Sequence, residues 1–247
     1  DTLEDFLEKN HKLRDCVVQG LDLGGIKANW DETKVEGAVF LGCKYPSLAF
    51  QERLREGGAM IFTRLPRLPY RPYRPNLYTH EEVPKSDRDL KIYEHFEANG
   101  RHSPNIQEAL AQRLHDLSID DALQDLLEGR TDGTERKKVV AIMGGHSTPR
   151  TNTYSEKVTH VSRKLKRRGY FVASGGGPGM TEAANFGAWM ANYRDDEMKC
   201  ALEIMKPAPT YSHPDYQETA LDVVKKFPKG AESVAIPTWF YGHERSN

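Results

Sequence analysis

Ser174-Gly175-Gly176-Gly177-Pro178-Gly179-Met180-Thr181-Glu182-Ala183-Ala184-Asn185 decides the reading of this chain, because its glycine run closes one apolar stretch and opens a helical one. Glycine reaches positive φ without steric cost, and its bare backbone lets N–H groups approach a ligand closely. A helix beginning just beyond the run aims its positive dipole end at the same point. The combination predicts a phosphate seat formed by Gly175, Gly176, Gly177, Gly179 and Met180.

Upstream, Val139-Val140-Ala141-Ile142-Met143 is a short apolar run without helical period that leads into Gly144-Gly145-His146-Ser147-Thr148-Pro149-Arg150. It reads as a buried strand entering a polar loop. Between Tyr154 and Arg168, Val158, Val161 and Leu165 recur at helical spacing, predicting an amphipathic helix stopped by Gly169. Tyr170-Phe171-Val172-Ala173 reads as a second strand, and the glycine run then opens a helix from Met180 to Tyr193. Ala201-Leu202-Glu203-Ile204-Met205 reads as a third strand, followed by a loop through Pro214 that carries Tyr211 and His213 towards a base or sugar. A helix from Asp215 to Phe227 and a strand at Ser233–Pro237 complete the pattern.

Alternating strands and helices imply a parallel sheet with right-handed crossovers. Both glycine loops then lie at the carboxyl ends of adjacent strands, where one ligand reaches both. The glycines are consecutive and broken by Pro178, so they do not spell the dinucleotide fingerprint, and a mere tight connection stays an open alternative.

These motifs, over residues 139 to about 240, resemble the LOG ("lonely guy") family, also labelled lysine decarboxylase-like. The resemblance implies a Rossmann-like parallel sheet flanked by helices. It also implies a nucleoside 5′-monophosphate phosphoribohydrolase, which cleaves the N-glycosidic bond to release a free base and ribose 5-phosphate. Gly144, Gly145 and Ser147 match the first nucleotide loop, and Gly175 to Gly179 match the second. The family's P-G-G-x-G-T-x-x-E signature, with its catalytic glutamate, does not occur in these 247 residues.

Glycosidic cleavage builds oxocarbenium charge on the sugar, which a carboxylate must stabilise or answer with an oriented water. Two catalytic candidates follow: Glu182, the carboxylate inside the glycine motif, and Arg245, a loose match to the arginine of the family's Met-His-x-Arg-Lys segment. Glu182 in a first helical turn is equally suited to capping or dipole pairing. The missing signature leaves two expectations. Either the domain is incomplete at Asn247 and the remaining motif follows, or the protein is a non-catalytic nucleotide sensor. Homo-oligomerisation is implied by the resemblance alone, and neither metal nor cofactor is implied.

Lys plus Arg number 35 against 36 Asp plus Glu, a net charge of −1 that provides no global field for nucleic acid. The basic run Arg163–Arg168 complements a helix C-terminus instead. Cys16, Cys43 and Cys200 are an odd number without a C-x-x-C pair, which indicates neither a disulfide framework nor a zinc site and makes the reducing cytoplasm the default expectation. No apolar run approaches the ~20 residues needed to cross a bilayer, so no membrane partner is expected.

Residues 1–133 read as a mixed α+β extension, and 134–247 as the nucleotide-binding domain, with Arg130-Thr131-Asp132-Gly133-Thr134 as the polar linker. Apolar residues five apart, Val18 with Leu23 and Phe40 with Tyr45, suggest solenoid coils, but so few coils predict two β-hairpins instead. Leu65–Tyr78, rich in Pro, Arg and Tyr, reads as an extended arm. Its Arg71 and Arg74 either stack on tyrosines of their own fold or grip a phosphate. Helices are predicted from Ser86 or Asp87 to Asn99-Gly100, after Ser103 along Ile106, Leu110 and Leu114, and from Ser118 with Asp120 and Asp121 in its first turn.

Overall fold

A computed structural model describes residues 3–63, 68–82, 91–92, 94–95, 98, 105–130 and 133–236. The expected helix starts at Ser86, Asp87 and Ser103, the beginning of the arm at Leu65–Arg67, and Arg245 lie outside the described residues. The chain is of the α/β type and divides into two compact units, Asp1–Leu126 and Leu127–Asn247. Among the described residues no helix is long and apolar enough to cross a membrane.

The first unit contains α1 (Leu3–Asn10), β1 (Val17–Gln19), β2 (Val39–Leu41), α2 (Leu48–Glu56), β3 (Met60–Phe62) and α3 (Ile106–Leu127). Its strands pair in parallel in the order β1-β2-β3, with Val17 beside Val39 and Val39 beside Met60. Two hairpins would have given antiparallel pairs. The expected hairpins are therefore replaced by successive coils of chain, each advancing one layer, and parallel bridges Lys12–Lys34 and Asp22–Lys44 extend the stacking. Every coil enters its strand through a left-handed residue: Asp15 at φ 55°, Gly37 at 74° and Gly58 at 88°. Leu13 stacks with Val35, and Val18 with Phe40, in one core that also takes Leu7, Leu23, Leu54 and Ala59. The five-residue spacing marked inward positions within a coil, whereas the repeat between coils is much longer.

The arm packs on its own unit. Tyr73 donates to Thr63 O at 2.8 Å, and its ring lies where a Cβ on Gly42 would come within 2.3 Å of it. Tyr70 donates to Glu108 at 3.1 Å, and Arg74 makes a bidentate pair with Glu82 at 2.8 and 2.9 Å while lying 3.5 Å from the Tyr78 ring centre. Thus Arg74 stacks as the first of its two expected alternatives requires, and Arg71 stands exposed.

Helix α3 is one continuous element through Ser118, correcting the expected break there. The Ser118 hydroxyl donates to Leu114 O at 2.8 Å, a bond back along the helix, so it caps nothing. With no Gly or Pro between Ile106 and Leu127, nothing forces an end. Asp120 and Asp121 consequently sit in mid-helix, both exposed. The buried face is Glu108, Ala111, His115, Ser118 and Ala122, a polar stripe receiving the arm, while the expected core residues Ile106 and Leu110 are 74% and 46% exposed.

The second unit contains β4 (Val139–Ile142), α4 (Thr153–Arg167), β5 (Phe171–Ser174), α5 (Met180–Trp189), α6 (Asp195–Met205), α7 (Tyr216–Lys226) and β6 (Val234–Ala235). A parallel sheet runs β4-β5-β6 with helical crossovers, as the strand and helix alternation predicts. Progress in one direction across the sheet places both crossovers on the same face. Accordingly Val172 packs with Ala184 and Ala188 of α5 and with Val158 and Leu165 of α4. The two helices approach closely on small polar residues. Ser162 donates to Ala184 O, and a Cβ on Gly187 would meet Thr159 O at 2.2 Å. Val161, expected on the buried stripe, is 53% exposed because Ser155, Thr159 and Ser162 take the contact instead.

One strand assignment fails. Ala201–Met205 is the last part of helix α6, whose buried residues Met198, Ala201 and Met205 follow helical spacing. The helix starts at Arg194, whose N–H bonds Glu197 Oε2 at 2.8 Å, with Asp195 and Asp196 in the first turn. A five-residue apolar run fits a strand or a buried helical stretch equally well, and the acidic start signal six residues earlier settles it. The basic run of α4 is drawn inward: Arg163 bonds Met190 O at 3.0 Å and Asp195 at 2.6 Å, and Arg167 bonds Ala191 O at 2.8 Å.

Candidate functional site

Strand β4 delivers Gly144 and Gly145 at φ 97° and 67°, and β5 delivers Gly176 and Gly179 at φ 70° and 72°. The two loops touch. Met180 N–H donates to Gly145 O at 3.2 Å, and a Cβ on Gly179 would lie 2.2 Å from that oxygen. A Cβ on Gly145 would lie 2.4 Å from Met180 Cγ, so both positions admit only glycine. Gly144, Gly145 and Ser147 are exposed on the loop surface.

The amides of the glycine run are partly occupied. Gly176 N–H bonds the Ser174 hydroxyl at 3.1 Å, Gly179 N–H reaches the Tyr216 hydroxyl at 3.4 Å, and Met180 N–H is held by Gly145. Among the described residues the Gly177 N–H has no partner. A Cβ at Gly177 would meet nothing nearer than Thr181 Oγ1 at 3.6 Å, so the turn leaves room at this amide.

Beside the turn lies a charged constellation. Arg150 Nε donates to Glu182 Oε2 at 2.8 Å, and Nη2 bonds the other carboxylate oxygen and Tyr216 O, the latter at 2.9 Å. Nη1 bonds Thr219 Oγ1 at 2.8 Å and Ala208 O at 3.1 Å. All the guanidinium's donors are thereby used. Its plane lies 3.6 Å from the centre of the Tyr216 ring, and the Arg150 side chain is 6% exposed. Tyr216 in turn donates to Glu182 Oε2 at 2.6 Å. Burial first, and then the negative Glu182, push its phenol pKa up, so the hydroxyl stays a donor.

Glu182 is thus a carboxylate with both oxygens bound by its own fold, suited to holding structure together. Behind it a groove of about 170 Å³ runs between α4, α5 and α6, lined by Asn152, Ser155, Glu182, Phe186, Leu202 and Lys206. Tyr211 is 61% exposed in the loop after α6, and His213 Nδ1 accepts from Asp215 N–H at 3.2 Å. That loop follows a helix, not a strand, yet it still meets the first glycine loop, because Arg150 N–H donates to Pro209 O at 2.8 Å.

Sequence reading had not singled out Arg150, Tyr216 or Thr219. Arg150 closes the quoted glycine loop, but its partner Glu182 lies 32 positions away, so no local spacing signals the pair. In comparisons with family models, curated proteins and solved structures, nothing matches this chain.

Proposed function

We propose that the second unit binds a nucleoside 5′-monophosphate at its paired glycine loops and hydrolyses the N-glycosidic bond to free base and ribose 5-phosphate. The observation carrying this reading is the contact of two glycine loops at the carboxyl ends of adjacent parallel strands, at the start of α5. Helix dipole and open backbone there favour an anion. The Gly177 amide is the natural first donor, and the LOG-like motif agrees in kind. Arg150 and Tyr216 already hold Glu182, which supports a structural role for that carboxylate. Incubation with AMP, GMP, CMP and UMP, with chromatography for base and ribose 5-phosphate, tests the reading; absence of both products from every substrate overturns hydrolysis.

The same bound Glu182 favours a second reading, a non-catalytic nucleotide sensor. Calorimetry separates the two: nucleotide binding without product supports the sensor, and turnover excludes it. Self-association belongs to the same proposal, and the exposed Ile106, Leu110 and Leu117 of α3 offer it an apolar face.

A further inference from the structure

We infer that Arg150, Glu182 and Tyr216 form a positioning relay that fixes the glycine turn against the α6–α7 loop; this rests on the nucleotide-binding reading of that turn. The relay starts on the α6–α7 side. Arg150 bonds Ala208 O and Tyr216 O through its side chain and Pro209 O through its main chain, so one residue gathers both ends of that connection. Its fork then holds Glu182, one turn into α5, by two parallel bonds. From the same connection, Tyr216 donates to Glu182 at 2.6 Å and accepts from Gly179 N–H at 3.4 Å. Gly179 is where the turn becomes helix.

Each member is spent on its neighbours. Arg150 has no donor left for a phosphate, and both Glu182 oxygens already accept bonds from Arg150 or Tyr216. What the relay supplies is geometry. Gly179 has φ 72° and ψ −125°, and it sits against Gly145 O and His146 O, so a small rotation there moves the Gly177 amide and separates the loops. Tyr216 fills a further role, since its hydroxyl oxygen stands at the Gly179 amide as an anion's oxygen would. It keeps that donor oriented before any ligand arrives.

The test uses the full chain, with Tyr216→Phe and Glu182→Gln. Tyr216→Phe keeps the ring beneath Arg150 and removes only the hydroxyl, so the fold stands. In the ligand-free protein, hydrogen exchange at the Met180 amide, which Gly145 holds, should accelerate about tenfold in both variants. AMP affinity by calorimetry should fall by about tenfold, the worth of one lost charge-assisted bond. Unchanged Met180 exchange overturns the relay whether or not AMP binds. Faster exchange with unchanged AMP affinity overturns the positioning role. If wild-type protein binds no AMP, the nucleotide reading fails, and the exchange rates still decide whether the relay holds the turn. A Glu182→Gln variant that binds AMP normally and only loses turnover would instead make Glu182 a catalytic residue, which contradicts the relay.

Discussion

Each unit of this molecule contains three short parallel strands, and the two use glycine in opposite ways. In the first, Gly37 and Gly58 bend the chain into successive coils, and Gly42 lies flat beneath the Tyr73 ring. There glycine shortens the path between strands and makes room for the unit's own side chain. In the second, long helical crossovers return the chain, and Gly144, Gly145, Gly176 and Gly179 collect at the carboxyl ends of the strands. Strand pairing alone therefore says little about function. What differs within the glycine turn is cover: a Cβ on Gly179 would lie 2.2 Å from Gly145 O, whereas one on Gly177 would meet nothing nearer than 3.6 Å.

The units also bury charge differently. The second buries a permanently charged fork, Arg150 on Glu182. The first buries titratable groups: Glu108 beside Tyr70 and His95, and His115 beside Tyr78. Burial first, and then the positive Arg74, lower the His115 pKa to about 3. Mild acid should therefore act on the first unit through His115.

The largest effect that would break this contrast is expected from Arg150→Met. Leaving Glu182 without its buried partner should cost about 3–5 kcal/mol in chemical denaturation; a loss below 1 kcal/mol would mean the fork is dispensable. Next comes Gly179→Ala, where a strained φ and overlap with Gly145 O should cost about 2–3 kcal/mol. Gly177→Asp, two residues away and facing open space, should change stability by less than about 1 kcal/mol. Equal losses from these two substitutions would erase the distinction between covered and open glycines.

Mild acid sharpens the other half of the comparison. His115 stays neutral in the fold but takes a proton at its ordinary pKa when unfolded, so its contribution is complete above pH 6.5 and declines as pH falls towards 3. At pH 5 the loss relative to neutral pH should be about 2 kcal/mol, and His115→Gln should remove that part of the dependence. Identical pH profiles for variant and wild type would show that His115 protonates in the folded state. The smallest effect is expected from Leu110→Asp on the exposed face of α3, within about 0.5 kcal/mol for the isolated chain. Sedimentation reports whether that face joins copies of the chain.

Much of the second unit was legible because its signals are local. The strand ending at Ile142, the helix stopped before Gly169 and the glycine turn each announce themselves within a few residues. Ala201–Met205 misled because a short apolar run carries no period of its own. In the first unit the parallel register couples Val17 to Val39 and Val39 to Met60, offsets beyond any turn or hairpin signal, so adjacent spacing suggested hairpins. The relay was invisible for the same reason: Arg150, Glu182 and Tyr216 meet only after the sheet and its crossovers have formed.

Calorimetric titration of AMP into wild-type protein and into Gly177→Asp, at matched salt, tests the central claim most directly. The account predicts saturable binding by the wild type and none by the variant, whose carboxylate would face the phosphate at the open amide. Equal binding by both proteins, or no binding by the wild type, would contradict it.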